Sequence, residues 1–182
     1  MPFEFVERPV LKNTVFRGKI VNVRQDTAAL HTGKEVSREI VEHPGGVVIL
    51  PLDGDNNVIC VRQFRYAFSS ELLELPAGKL EPGENPESAA LRELKEEIGC
   101  VPGVFTPLGR IYPSPGYCTE ILYLYLAREL EEGAPTPDDD EYLTLERVPY
   151  TELCRRVLRG DIPDAKTAAA VLMAQPLILG ER

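Results

Sequence analysis
Apolar and polar positions along the chain change period several times, and each change predicts an element. From Val15 to Val23 the residues Val-Phe-Arg-Gly-Lys-Ile-Val-Asn-Val are rich in β-branched side chains with partial alternation, which predicts a strand. His31-Thr32-Gly33-Lys34 reads as a hairpin turn and Val36 to Val41 as the returning strand. Residues 1–42 are therefore expected to form a small antiparallel β extension. It is too short to bury a core of its own and must pack on the rest of the chain or on a second subunit. Pro44-Gly45-Gly46 separates it from the body, residues 43–182. The run Val47-Val48-Ile49-Leu50 predicts a buried strand, and Val58 to Arg62 another. Between them Asp53-Gly54-Asp55-Asn56-Asn57 starts like a calcium-binding loop, but apolar strands flank it and no glutamate stands at the twelfth position, so it reads as a hairpin turn. Leu72 to Leu75, Leu108 to Tyr112, Ile121 to Ala127 and Glu141 to Val148 are further predicted strands. Residues 131–140 read as an acidic, proline-containing surface loop. Thr151 to Arg159, stopped by Gly160, and Ala165 to Ala174 read as helices. Strands interspersed with a few helices predict an α/β fold with a mixed sheet between helices.

One stretch carries most of the chemistry. In Gly78–Cys100 the second half reads as a helix, with Asn85 as cap, Pro86 at the first helical position and Gly99 as stop. Ala90, Leu91, Leu94 and Ile98 fall on one side at helical spacing, which predicts a core-facing stripe. Glu93 and Glu97 are four apart and share a second side, with Glu96 near it. Like charges at that spacing repel, and a divalent cation removes the conflict, because hard cations such as magnesium take carboxylate and phosphate oxygens. A solvated acidic helix face would explain the charges but not the glycine-rich lead-in or Arg92 among the glutamates.

The spacing is that of a known pattern. Gly78, five residues, Glu84, seven residues, Arg92-Glu93-Leu94, one residue, Glu96-Glu97, one residue, Gly99 and an apolar residue resembles the box of the Nudix hydrolases. Every specified position fits; Cys100 stands where a larger aliphatic is common. The resemblance implies an α/β/α sandwich with a mixed β-sheet and hydrolysis of a nucleoside diphosphate linked to another group.

Composition narrows the partners. Hydrophobic residues make up 43% of 182, enough for a normal core, and the formal net charge is −9. A chain so acidic gains nothing from counterion release on DNA, so nucleic-acid binding is not expected, and phosphates must be met by metal ions or local arginines. No apolar run approaches ~20 residues and the N-terminus lacks a signal-peptide pattern, so no membrane association and a cytoplasmic location are expected. Cys60, Cys100, Cys118 and Cys154 lack CxxC spacing and read as small core or strand residues.

Other residues point to a subfamily. Ser114-Pro115-Gly116, with Pro115 sixteen residues after Gly99, resembles the signature downstream of the box in ADP-ribose pyrophosphatases. Phe16-Arg17-Gly18-Lys19, Val61-Arg62-Gln63-Phe64-Arg65, Leu73-Glu74-Leu75-Pro76-Ala77-Gly78-Lys79 and Asp164-Ala165-Lys166-Thr167-Ala168 are similar to the same group. The resemblance implies Mg2+, or Mn2+ or another divalent cation, held by Glu93, Glu96, Glu97 and the Ala77 carbonyl. It gives Arg92 the role of orienting the carboxylates. Arg65 matches a diphosphate contact; Arg38 and Glu39 are candidates for adenosine contacts across a dimer; Pro115 and Gly116 lie at the substrate loop. The general base stays open between Glu141, in the acidic loop, and the box glutamates Glu96 or Glu97. Asp139 stands where some relatives have glutamate. The implied substrate is ADP-ribose, a nucleoside diphosphate sugar, cut to AMP and ribose 5-phosphate by a homodimer. Another such sugar (ADP-glucose, GDP-mannose) is the alternative within the chemistry. A non-catalytic nucleotide-sugar-binding module is the alternative outside it, although such modules usually lose box glutamates that this chain keeps.

Overall fold
The structure, a computed structural model, describes residues 5–136 and 142–180. These fall into two compact units: residues up to Gly45 together with Tyr112–Ile121, and Gly46–Ile111 with the chain from Leu122 onward.

The first unit is an antiparallel sheet. Strands β1 (Arg8–Leu11) and β2 (Thr14–Arg17) lie end to end along one edge of β3 (Asn22–Ala29), and β4 (Glu35–Glu42) pairs with the other edge. The stretch read as one strand from Val15 to Val23 is folded in two. Gly18 N donates to Val21 O at 2.9 Å, turning β2 back onto β3. A Cβ at Gly18 would stand 2.8 Å from both the Phe16 ring and Val21 O, so glycine is what permits the turn. The expected hairpin at His31–Lys34 is present, with Gly33 at φ 82°. The Tyr112–Ile121 loop is tied to β4: Val41 N donates to Tyr117 O at 2.7 Å and Thr119 N to Val41 O at 2.9 Å.

The second unit holds two sheets. Strand β5 (Gly46–Pro51), buried throughout, runs parallel to β10 (Leu122–Glu132) and antiparallel to β8 (Ala77–Lys79); β9 (Cys100–Ile111) completes the mixed sheet in the order β8-β5-β10-β9. Strand β6 (Asn57–Arg65) lies between β11 (Leu143–Pro149) and β7 (Ser70–Glu74) in an antiparallel sheet. The Asp53–Asn57 turn is thus not an ordinary hairpin. It hands the chain from one sheet to the other, with only the Leu52–Val58 bridge joining β5 and β6. β9 is longer than the sequence pattern suggested; its Pro102 and Pro107 are tolerated because it is an edge strand.

Alternation along β5 explains the layers. Val47 and Ile49 face helix α1 (Pro86–Ile98) and pack with Ala89, Ala90, Leu94 and Ile98. Val48 and Leu50 face the opposite way, with Tyr150, Leu153 and Cys154 of α2 (Tyr150–Arg159) and Ala170, Val171 and Ala174 of α3 (Ala165–Leu179). Helices cover both faces, as an α/β/α sandwich requires. Helix α3 continues past the expected end at Ala174 and through Pro176, and Ile178 in that added turn packs against the core. No helix among the described residues is long and apolar enough to cross a membrane.

Candidate active site
Helix α1 begins as the sequence predicts. The Asn85 side chain accepts from Glu87 N and Ser88 N, Pro86 opens the helix, and Gly99 ends it at φ 72°. Its buried arc, however, is shifted. Leu91 is 38% exposed, whereas Ala89, Glu93 and Glu97 are buried at 0, 8 and 2%. The arc facing the sheet is therefore centred on Ala90, Leu94 and the two carboxylates, and Leu91 lies past its edge.

Two buried carboxylates one turn apart are costly unless protein donors or a cation meet them. Some donors come from the backbone and from Arg92. Ala77 N donates to Glu97 Oε2 at 3.1 Å, and Arg92 Nη1 donates to Glu93 Oε1 at 2.8 Å. Glu93 lies directly against Gly78, where a Cβ would fall 1.9 Å from the carboxyl carbon. The first glycine of the motif is thus a space requirement of a carboxylate that follows it by a loop and two helical turns.

Arg92 is the hub of the cluster. Nε and Nη2 grip both oxygens of Glu84 at 3.1 Å each, and Nη1 also reaches Glu96 Oε2 at 2.9 Å. Glu84 Oε2 accepts from Glu81 N at 3.0 Å, closing the loop before the helix. The Glu84 bonds hold the Arg92 guanidinium firmly protonated, and Arg92 in turn lowers the Glu84 carboxyl below its ordinary range.

Arg65, at the end of β6, donates Nε and Nη2 to the two oxygens of Glu74 at 2.7 and 2.6 Å, while 38% of its side chain stays exposed. That bidentate bond, against burial, raises the Arg65 pKa, and the charges of Asp164 and Glu97 add to it. Glu74 is 1% exposed and also meets Lys166. A glutamate set between two leucines, Leu73 and Leu75, is the signal that could have marked such a buried, partnered charge.

The remaining predicted residues belong to the first unit. Arg38 and Glu39 are neighbours on β4 and so point to opposite faces. Arg38 is paired with Glu7 at 2.9 and 2.6 Å. Glu39 lines a cavity of about 380 Å3 with Val15, Val23, Arg24, Val41 and Tyr117. Pro115 and Gly116 are exposed in the loop that precedes Tyr117. Glu141 lies outside the described residues.

A family profile described as NUDIX domain matches residues 42–171. The chain belongs to the Nudix family. Among its relatives, an ADP-ribose pyrophosphatase of Bacillus subtilis (strain 168) is 38% identical over 93% of this chain and 92% of the relative. A Bacillus methanolicus protein named methanol dehydrogenase activator is 36% identical over 94% of each. A solved structure titled as an ADP compounds hydrolase superposes with a TM-score of 0.85 at 24% identity, covering 98% of this chain and 97% of the other, and so shares the Nudix fold.

Nudix hydrolases generally use divalent metal. Among the described residues no three His, Cys, Asp or Glu side chains are gathered to hold an ion by themselves. The donor set nevertheless fits a hard cation: Glu93 and Glu97 are buried oxygen donors one helical turn apart, with Glu96 beside them on Arg92. Magnesium commonly takes one or two carboxylates and completes its shell with water and substrate phosphate.

Proposed function
We propose that this Nudix pyrophosphatase hydrolyses ADP-ribose to AMP and ribose 5-phosphate. The observation that carries the reading is the buried Glu93–Glu97 pair, with Glu93 built against Gly78 and held by Arg92 and Glu97 held by Ala77 N. The names of two relatives support ADP-ribose, and the Ser114-Pro115-Gly116 loop resembles that of ADP-ribose pyrophosphatases; ADP-glucose and GDP-mannose are the competing substrates.

In the reaction one P–O bond of the anhydride breaks, water oxygen joins phosphorus, and the water proton must be taken up. Bound divalent cation supplies charge neutralisation and a lowered pKa of bound water. Glu93, Glu97, Glu96 and the Ala77 carbonyl are the proposed holders of the cation. Arg92 orients Glu84, Glu93 and Glu96 without touching substrate. The proton acceptor is Glu141 or one of the box glutamates Glu96 and Glu97. Arg65 is the proposed diphosphate contact, its planar fork suited to phosphate oxygens. Glu39, at the cavity of the first unit, is the proposed adenosine contact, with Pro115 and Gly116 at the substrate loop; Arg38 points to the other face of β4 and is taken up by Glu7. We further propose that residues 1–42 act as a dimer-forming extension.

A substrate panel tests the reading. With Mg2+, ADP-ribose should give the highest kcat/KM, with AMP and ribose 5-phosphate as products. A clear preference for ADP-glucose, GDP-mannose, diadenosine polyphosphates, NADH or coenzyme A would overturn it.

A further inference from the structure
Four charged side chains meet at the end of β7. Glu74 receives both Arg65 nitrogens and Lys166 Nζ, and Lys166 Nζ also donates to Asp164 Oδ2 at 3.0 Å. Two cations face two anions, and the cluster is neutral as a whole. Lys166 itself is held on both sides. Asp164 caps α3 by accepting from Thr167 N at 3.1 Å and Thr167 Oγ1 at 2.5 Å, and Thr167 Oγ1 accepts from Leu75 N at 2.8 Å. The first turn of α3 is thereby fixed to the segment that leads to Ala77.

Stability alone does not call for this arrangement, since buried ion networks can be replaced by apolar packing with little loss. What it supplies is direction and charge. Glu74 sets the plane of the Arg65 guanidinium. Without Lys166 the remaining three groups would carry a net negative charge, and Glu97, whose field also reaches Arg65, would add to it. A diphosphate approaching Arg65 would then meet a carboxylate excess.

We infer that Lys166, outside the box and on α3, is a positioning residue for the diphosphate. It neutralises Glu74 so that Arg65 keeps one orientation and its charge remains available to an anion. This inference rests on the reading of Arg65 as a diphosphate contact.

The test uses the full chain. Lys166→Met keeps the aliphatic stem and removes the charge. With ADP-ribose and Mg2+, KM should rise at least about tenfold while kcat changes little. Calorimetric titration of ADP-ribose in chelator, where no turnover occurs, should show weaker binding by a similar factor. Lys166→Arg should restore both. In an Arg65→Ala background Lys166→Met should have no further effect, because the lysine acts through the arginine. Folded Lys166→Met with wild-type KM and binding overturns the inference, as does an equal loss in both backgrounds. If Lys166→Met does not fold, Lys166→Gln, which keeps a donor for Glu74 but not the charge, is read in the same way. Wild-type KM in Arg65→Ala would overturn the underlying reading of Arg65, and this inference with it. An impaired Arg65→Ala beside an intact Lys166→Met overturns only the role of Lys166.

Discussion
The carboxylate of Glu93 occupies the space that a side chain on Gly78 would need. The nearest approach of an added Cβ is 1.9 Å to both the carboxyl carbon and Oε1. Glycine begins the motif because the strand before the loop and the helix after it meet at van der Waals distance around one buried carboxylate. Gly78→Ala must therefore push Glu93 aside. Activity should fall about 100-fold, the loss typical of a displacement near 1 Å at a reacting centre. Circular dichroism should still report a folded protein. Wild-type turnover in Gly78→Ala would show that the position of Glu93 does not matter.

Glu93→Gln and Glu97→Gln should each cut kcat by about 100-fold or more, since each removes a negative oxygen from the proposed cation site without changing shape. Chelation of divalent ions should abolish turnover of the wild type. Near-normal rates for both variants at saturating Mg2+ would refute the assignment of these two as ligands.

Arg92→Ala should act differently. It strips donors from Glu84, Glu93 and Glu96 at once, but removes no proposed contact to substrate. The Mg2+ concentration for half-maximal activity should rise about 10-fold to 100-fold, as for other outer partners of metal ligands. Much of kcat should return at high Mg2+, measured by metal titration at fixed ADP-ribose. A variant whose activity stays low at every Mg2+ concentration would mean that Arg92 does more than order the carboxylates.

How much of the fold and site was legible in the sequence depends on how local each signal is. Helix α1 and the box were legible because caps, spacing and glycine stop lie within one stretch. The run Val47–Leu50 announced its burial by composition alone. Strand β1 gave no signal: all four residues of Arg8–Leu11 are exposed, so no burial period marks them. The Asp53–Asn57 turn looked like a hairpin because sequence reports a reversal and not which sheet each arm joins. Leu91 was placed in the core stripe by hydrophobicity, whereas the structure gives that arc to Glu93 and Glu97. The Glu74–Lys166 contact joins residues 92 apart, beyond any periodicity argument.

The Glu74 cluster also predicts a response to acid. Burial pushes the Glu74 carboxyl up, but the bonds from Arg65 and Lys166 outweigh it and hold the carboxyl below its ordinary value of 4.5. A folded-state pKa below the unfolded one gives stability that is fully present above pH 4.5 and is lost as pH falls through the lowered value. Glu74→Gln should be less stable than wild type near neutrality by about 3 kcal/mol, because it breaks a buried pair and leaves its cations unmatched. The gap should narrow as pH falls below 4.5, followed by denaturant melts across a pH series. A gap independent of pH would mean that the carboxylate charge is not the stabilising feature.

The N-terminal sheet predicts assembly. Val10, Leu11, Val15, Phe16 and Ile20 are 53, 59, 56, 56 and 51% exposed, and Phe5 is 89% exposed. Single exposed apolar residues are ordinary, but six within one small sheet and its approaches form a surface that water solvates poorly. A second copy of the chain can cover such a surface reciprocally about a two-fold axis, and a stable interface would bury about 1,200–2,000 Å2 in total. Light scattering should therefore give about twice the chain mass of 20.3 kDa. Leu11→Glu and Phe16→Glu place a charge on that surface at positions that do not line the nearby cavity. Each should shift the protein to monomer at micromolar concentration, and dilution of the wild type should do the same. If the dimer shares its substrate site, the monomeric variants should also lose ADP-ribose binding, read by calorimetry in chelator. A wild-type monomer with full activity would rule out the dimer and the shared site together, whereas a monomeric variant that still binds would leave the dimer and remove the sharing.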